Sequence, residues 1–149
     1  MKVETITLRP AVSLDAEIVF EWRNAPETRR YSFDPSPLNK LDHIKWFEQS
    51  LKMHNRYLLI AEQCGNPVGV LRYDLVSSQA EISIYVSPAL SGKGLGTKIL
   101  LAGTDWIKLN LPEIKILRGK VLANNIASAR VFDKAGFNLK MQVYEKDVG

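Results

Sequence analysis

The stretch Glu81-Ile82-Ser83-Ile84-Tyr85-Val86-Ser87-Pro88, followed shortly by Ser91-Gly92-Lys93-Gly94-Leu95-Gly96-Thr97, decides how this chain is read. Apolar residues alternate up to Val86 at the period of a strand, and Pro88 ends it. Glycines at every second position then open a segment whose apolar spacing predicts a long helix over residues 94–109. A helix start presents unpaired N–H groups and the positive end of the helix dipole, so a glycine-rich entry suits phosphate oxygens. Glycine removes the Cβ that would hold a ligand off the backbone and permits positive φ. A plain strand-to-helix turn can carry the same glycines, so the loop alone leaves both readings open. Two other phosphate loops are excluded by spacing. Lys93 is followed by Gly94, which breaks G-x-x-x-x-G-K-[ST], and Gly92-x-Gly94-x-Gly96 is not G-x-G-x-x-G.

Outward from this stretch the elements alternate in type. Residues 5–9 alternate at period two and stop at Pro10, which predicts a short strand. Ser13 is expected to cap a helix from Leu14, with Leu14, Ile18 and Trp22 as its buried stripe and an end before Pro26. Residues 31–38 read as a loop; Asn39 or Ser36 then starts a second helix, with Leu41, Ile44, Phe47 and Leu51 three or four apart. Strands are predicted at 57–62, 68–73 and 80–86, antiparallel by their short connections. After the long helix come a strand over 114–121, a helix over 127–135 and a last strand over 138–144. The expected fold is α/β, a mixed, mostly antiparallel sheet flanked by about four helices.

With 149 residues, 46% hydrophobic and 24% charged, the composition is that of one globular domain, taken as 1–149. Cys64 is the single cysteine, which excludes an internal disulfide and a cysteine zinc site, and His43 and His54 offer little for a histidine cluster. No metal is expected. No apolar run reaches the roughly 18 residues of a membrane span, and Met1-Lys2-Val3-Glu4 lacks an apolar leader core. A cytoplasmic protein without a membrane partner is expected. The net charge of +4 suits an anionic ligand, while the scattered basic residues lack the pattern of a nucleic-acid binder.

A second motif adds to the glycine loop. Asn125, Ser128, Val131, Phe132, Lys134, Gly136 and Phe137 fit N-x-x-[AS]-x-x-[LV]-[YF]-x-K-x-G-F in register. Together with the loop, which matches Q/R-x-x-G-x-G/A except that Ser91 replaces Gln or Arg, this resembles the GCN5-related N-acetyltransferases (GNAT), from Thr5 to Phe137. The resemblance implies transfer of acetyl from acetyl-CoA to a primary amine of a small-molecule acceptor. It implies that Ser91, Gly92, Lys93, Gly94, Leu95, Gly96 and Thr97 hold the pyrophosphate, with Lys93 and Lys98 adding charge. Ile84 and Val86 would pair with the pantetheine arm in a gap between splayed strands, Asn125 would bond that arm, and Phe132 would line its thiol end. Asn125 can equally be a helix cap, and both roles are compatible. A backbone N–H of the same strand would hold the carbonyl oxyanion.

Phe132 stands where many relatives carry a tyrosine that protonates the leaving thiolate. For a thiol pKa of about 8.5 this withholds roughly 2 kcal/mol at pH 7, which slows transfer without forbidding it. A lysine amine near 10.4 would need about 5 kcal/mol to become neutral at pH 7, and an amine near 7.8 only about 1 kcal/mol. A low-pKa acceptor amine is therefore expected. Glu81, on one strand face with Ser83 and Tyr85, is the candidate base through a water, alongside His43; an exposed strand carboxylate is its ordinary alternative.

The segment Trp22-Arg23-Asn24-Ala25-Pro26, then Arg29-Arg30-Tyr31, then His43 with Trp46-Phe47, looks like the acceptor-binding helices of the nucleotide-amino-sugar N-acetyltransferases of pseudaminic-acid biosynthesis. That likeness implies that Arg23, His43 and Tyr85 contact a nucleotide-linked amino sugar, with Tyr85 also at the reaction centre. An amino-terminal peptide or ribosomal-protein amine and a small amine are the alternatives, and a non-catalytic acyl-CoA-binding module is the alternative of another class. Only twelve residues follow Phe137, enough for one strand where the family has two, so an open sheet edge and a homodimer are expected.

Overall fold

A computed structural model of the chain describes residues 5–149. Residues 1–4, on which the missing leader core was read, lie outside the described residues. Five strands form one sheet in the order of the chain: β1 (Ile6–Pro10), β2 (Arg56–Gln63), β3 (Asn66–Val76), β4 (Gln79–Val86) and β5 (Ile116–Gly119). The first three pairings are antiparallel and the last is parallel. Tight turns explain the meander. Cys64 and Gly65 at φ +53° and +80° reverse β2 into β3, and Ser77 at φ +56° begins the return into β4.

Side chains alternate across these strands, so each sheet face has its own cover. One face, with Leu59, Leu71, Tyr73, Ala80 and Ile82, packs under α4 (Leu95–Asn110), the longest helix. The other face, with Leu58, Ile60 and Val70, is covered by α1 (Ala16–Asn24) and α3 (Lys40–Lys52). Between them α2 (Pro26–Arg29) is one turn started by proline at its first position. The fifth helix, α5 (Ile126–Lys134), follows β5 and packs on α4.

Three expectations are corrected. Ser13 does not cap α1: residues Ser13–Asp15 form a 3-10 turn, and Ser13 Oγ instead donates to Glu48 Oε2 at 3.1 Å. That tighter turn shifts the helical phase, leaving Leu14 92% exposed and burying Ala16, Val19 and Trp22. Asp15 is buried by the same shift and accepts both Arg9 guanidinium nitrogens at 2.9 Å. In α3 the inner face is His43, Phe47 and Ser50, while Leu41 points outward. Finally, residues 138–144 do not form a strand, and Leu139, Met141 and Val143 stand exposed. β5 therefore keeps a free outer edge among the described residues.

Candidate active site

β4 and β5 run together only from the Gln79–Ile116 pair to the Ile82–Gly119 pair. Beyond Ile82 they part, and Ser83, Ile84, Tyr85 and Val86 keep β3 as their strand partner on one side only. A cleft of about 560 Å³ opens at this split. One end is lined by Ile84, Val86, Gly96, Asn125 and Phe132; the other by Arg23, Arg29, Tyr31, Arg72 and Tyr85. The volume lies within the ordinary range for small-molecule and cofactor sites.

The turn into α4 leaves backbone N–H groups without a side-chain cap. Gly92 and Gly94 have φ of +79° and +75°, a region in which other residues are strained. Gly94 is the N-cap, and no side chain caps the helix behind it. By contrast, Asn39 and Asn125 cap α3 and α5, each accepting a backbone N–H at 3.1 Å. The first N–H groups of the 16-residue α4 are thus left to a ligand. Gly96 is required for another reason. A Cβ there would stand 3.0 Å from Cγ1 of Val131, so its absence lets α5 approach α4. Leu95 is a core side chain, so the loop can offer its backbone alone at that position. Ser91, Gly92, Lys93 and Thr97 do not line the cleft itself; they sit in and just beyond the turn beside it.

Asn125 combines both anticipated placements, capping α5 through Ser128 N while lining the cleft. Phe132 packs edge-on against Phe137 at 5.0 Å between ring centres. Its ring lies over Gly119, where an added Cβ would meet Cε1 at 2.3 Å. A glycine at the end of β5 is thus what lets Phe132 sit at the split.

The Arg23–Arg72 end of the cleft is cationic. Arg23, Arg56 and Arg72 surround the Trp46 ring with guanidinium carbons 4.5, 5.5 and 5.5 Å from its centre. Arg23 also lies 5.6 Å from the centre of the Tyr85 ring. His43 was expected to touch the acceptor, but it is 4% exposed and does not line the cleft. Its Nδ1 accepts from Arg23 Nη1 at 3.2 Å, and Nε2 is 3.0 Å from Ala16 O. Burial, helped by the Arg23 charge, pushes its pKa below the usual histidine range. Glu81 lies outside the cleft lining, paired through Oε1 with Lys120 Nζ at 3.2 Å.

Arg72 escaped the sequence reading. Its signal was a charged pair, Arg72 and Asp74, inside an otherwise apolar strand pattern.

The family profile described as "Acetyltransferase (GNAT) domain" matches residues 5–138. The chain is a GNAT acetyltransferase. Acetyl-CoA is accordingly its donor, and the uncapped start of α4 beside the β4–β5 split suits a long, polyanionic molecule. This GNAT chain is 31% identical over 140 residues to YwnH of Bacillus subtilis (strain 168), named as a candidate phosphinothricin acetyltransferase, covering 89% of this chain and 83% of YwnH. Its fold matches aminoglycoside acetyltransferase AAC(6')-Ib solved with coenzyme A and kanamycin, at TM-score 0.81 and 21% identity over 93% of this chain and 87% of that one. It also matches spermidine N-acetyltransferase from Vibrio cholerae, solved with CoA and spermine, at TM-score 0.83 and 17% identity over 95% and 86%. The last two likenesses concern the fold.

Proposed function

We propose that this acetyltransferase acetylates the primary amine of a nucleotide-linked amino sugar. The observation that carries the reading is the single cleft of about 560 Å³ that joins the β4–β5 split to an arginine-lined end. A pantetheine arm would take the end at the split and an extended, negatively charged acceptor the arginine end. A second reading, an acidic amino-acid-like acceptor, is favoured by the 31% identity to YwnH, since phosphinothricin carries acidic oxygens beside its amine.

Acetyl-CoA supplies the acetyl group already activated as a thioester. The chain's residues then divide the work. The free N–H groups at the start of α4 hold the pyrophosphate, with Lys93 near them. The edge of β4 from Ser83 to Val86 that faces away from β3 takes the pantetheine amides, and an N–H of that segment holds the carbonyl oxygen as charge develops on it. Phe132 excludes water at the thiol end. Tyr85 and Arg23 orient the acceptor. A C–N bond forms as the C–S bond breaks; the amine gives its proton to water, and the thiolate takes one from water. Glu81 enters through solvent alone, because its carboxylate is held by Lys120 beside the cleft.

Mixing the protein with acetyl-CoA and either a UDP-linked amino sugar or phosphinothricin, while following free thiol, tests the reading. Saturable release with the nucleotide sugar supports it; release with phosphinothricin alone selects the second reading. Coenzyme binding without release on any amine would make the chain a binding module. We further propose a homodimer, since the free β5 edge and the exposed alternation of Leu139, Met141 and Val143 invite pairing with a second copy. Light scattering that gives a monomer at assay concentration overturns it.

A further inference from the structure

The guanidinium groups around Trp46 are not balanced by the carboxylates near them. Asp74 is shared: Oδ1 accepts from Arg56 Nε at 2.5 Å and Oδ2 from Arg72 Nε at 3.1 Å. Arg72 Nη2 donates to Ser83 Oγ at 2.9 Å, which leaves the Ser83 hydroxyl hydrogen available to a further acceptor. Among the described residues, Arg23 pairs with no carboxylate; its one side-chain partner is the neutral ring of His43. Burial is the main cause that lowers the Arg72 pKa; Asp74 opposes it, and Arg56 and Arg23 add smaller contributions in the same direction as burial.

Of the other charged groups lining the cleft, Glu27 forms no ion pair among the described residues, and three are already engaged. Arg29 holds the backbone oxygens of Asn24 and Pro35, Lys120 holds Glu81, and Asp34 is turned onto Ser36. Arg23 and Arg72 therefore stand as cations with spare donors, both lining the cleft, with Ser83 and Tyr85 between α1 and β3.

We infer that Arg23 and Arg72, with the hydroxyl of Ser83, form a subsite for an anionic oxygen group of the acceptor, a carboxylate or a phosphorus oxyanion. Guanidinium forks match such groups in two hydrogen bonds, and both guanidinium carbons lie over the Trp46 ring, 4.5 and 5.5 Å from its centre. The same charge repels a polycation. Spermidine and kanamycin, ligands of fold relatives, are therefore poor acceptors for this chain. The inference rests on the acetyltransferase reading and names the acceptor class for it.

The test uses the full chain saturated with coenzyme A, so that the donor site is filled. Calorimetric titrations with uridine diphosphate, with glutamate and with spermidine form three arms. Saturable binding of uridine diphosphate or of glutamate is expected, and which one binds tells phosphorus oxyanion from carboxylate; spermidine gives none. Arg23→Gln and Arg72→Gln should each weaken that binding about tenfold or more, the effect of losing a charge-assisted hydrogen bond. Coenzyme A affinity, measured on the same samples, should stay within about twofold and reports that each variant is folded. Arg23 is on a helix face, so its variant guards against a misfolded Arg72→Gln. Anions that fail to bind the saturated protein, or that bind both variants as well as the parent, overturn the subsite. Failure of coenzyme A to bind overturns the acetyltransferase reading instead.

Discussion

Arg23 donates through Nη1 to Nδ1 of His43 at 3.2 Å, while Nε2 of the same ring meets the carbonyl oxygen of Ala16 at 3.0 Å. A guanidinium has no lone pair to give, so the ring proton must sit on Nε2 and the imidazole must be neutral. His43 thus aims Arg23 from beneath the cleft, as a positioning residue.

This fixes the sign of a pH effect. The folded pKa of His43 is depressed, so the unfolded chain binds more protons as pH falls below the ordinary value near 6.5. Its stabilising contribution is complete above that value and is lost as pH falls through the folded pKa. Urea midpoints between pH 7.5 and 5 should decline, and the decline should be smaller in His43→Leu. Loss from Asp15, held low mainly by its Arg9 hydrogen bonds, belongs to a separate window below about 3.8. A flat parental curve down to pH 5 would refute the His43 geometry.

Two glycines of one turn should fail differently. Gly94→Val forces a branched residue to φ +75°, at a cost of about 1–2 kcal/mol, and crowds the free N–H groups. Coenzyme A affinity should drop at least about tenfold. Gly96→Ala instead presses on Val131 and should lower the melting temperature by a few degrees. Thermal scans and coenzyme titrations on both variants separate the effects.

Phe132→Tyr adds a hydroxyl at the proposed thiol end of the cleft. The gain should be confined to pH values below the thiol pKa of about 8.5, since thiolate is stable above it. Severalfold higher kcat at pH 6.5, fading by pH 9, is the expected profile.

Glu81→Gln breaks an ion pair with Lys120 that is partly exposed on both sides, and such pairs contribute about 0–1 kcal/mol. No more than about a threefold loss of kcat is expected, with an unchanged pH profile. A thirtyfold loss would make Glu81 the base.

Tyr73 buries its hydroxyl against Gly103 with no hydrogen-bond partner among the described residues, and burial raises its pKa. Tyr73→Phe removes a polar atom that costs about 1–3 kcal/mol unpaired, and keeps the stacking on Trp106. Denaturant unfolding should show the variant to be the more stable protein.

Local chemistry made much of this legible without coordinates. The alternation ending at Val86, the glycines at 92, 94 and 96 and the cap at Asn125 are written in neighbouring residues, and each sits where its spacing demanded. Reading failed where the outcome depended on phase or on distant partners. A 3-10 turn rotated the face of α1, so Leu14 left the core that its spacing had assigned to it. Residues 138–144 have the alternation of a strand, yet they pair with no strand among the described residues.

The sequence alone determined the family and the glycine turn that opens α4 without a side-chain cap, because backbone conformation follows from residues a few positions apart. The tertiary structure decided where β4 parts from β5, how Arg72 reaches Ser83 across two strands, and that His43 lies under Arg23 instead of in the cleft. Those relations join residues 11 to 37 positions apart. Register and burial set them, and these emerge only when the whole sheet has packed.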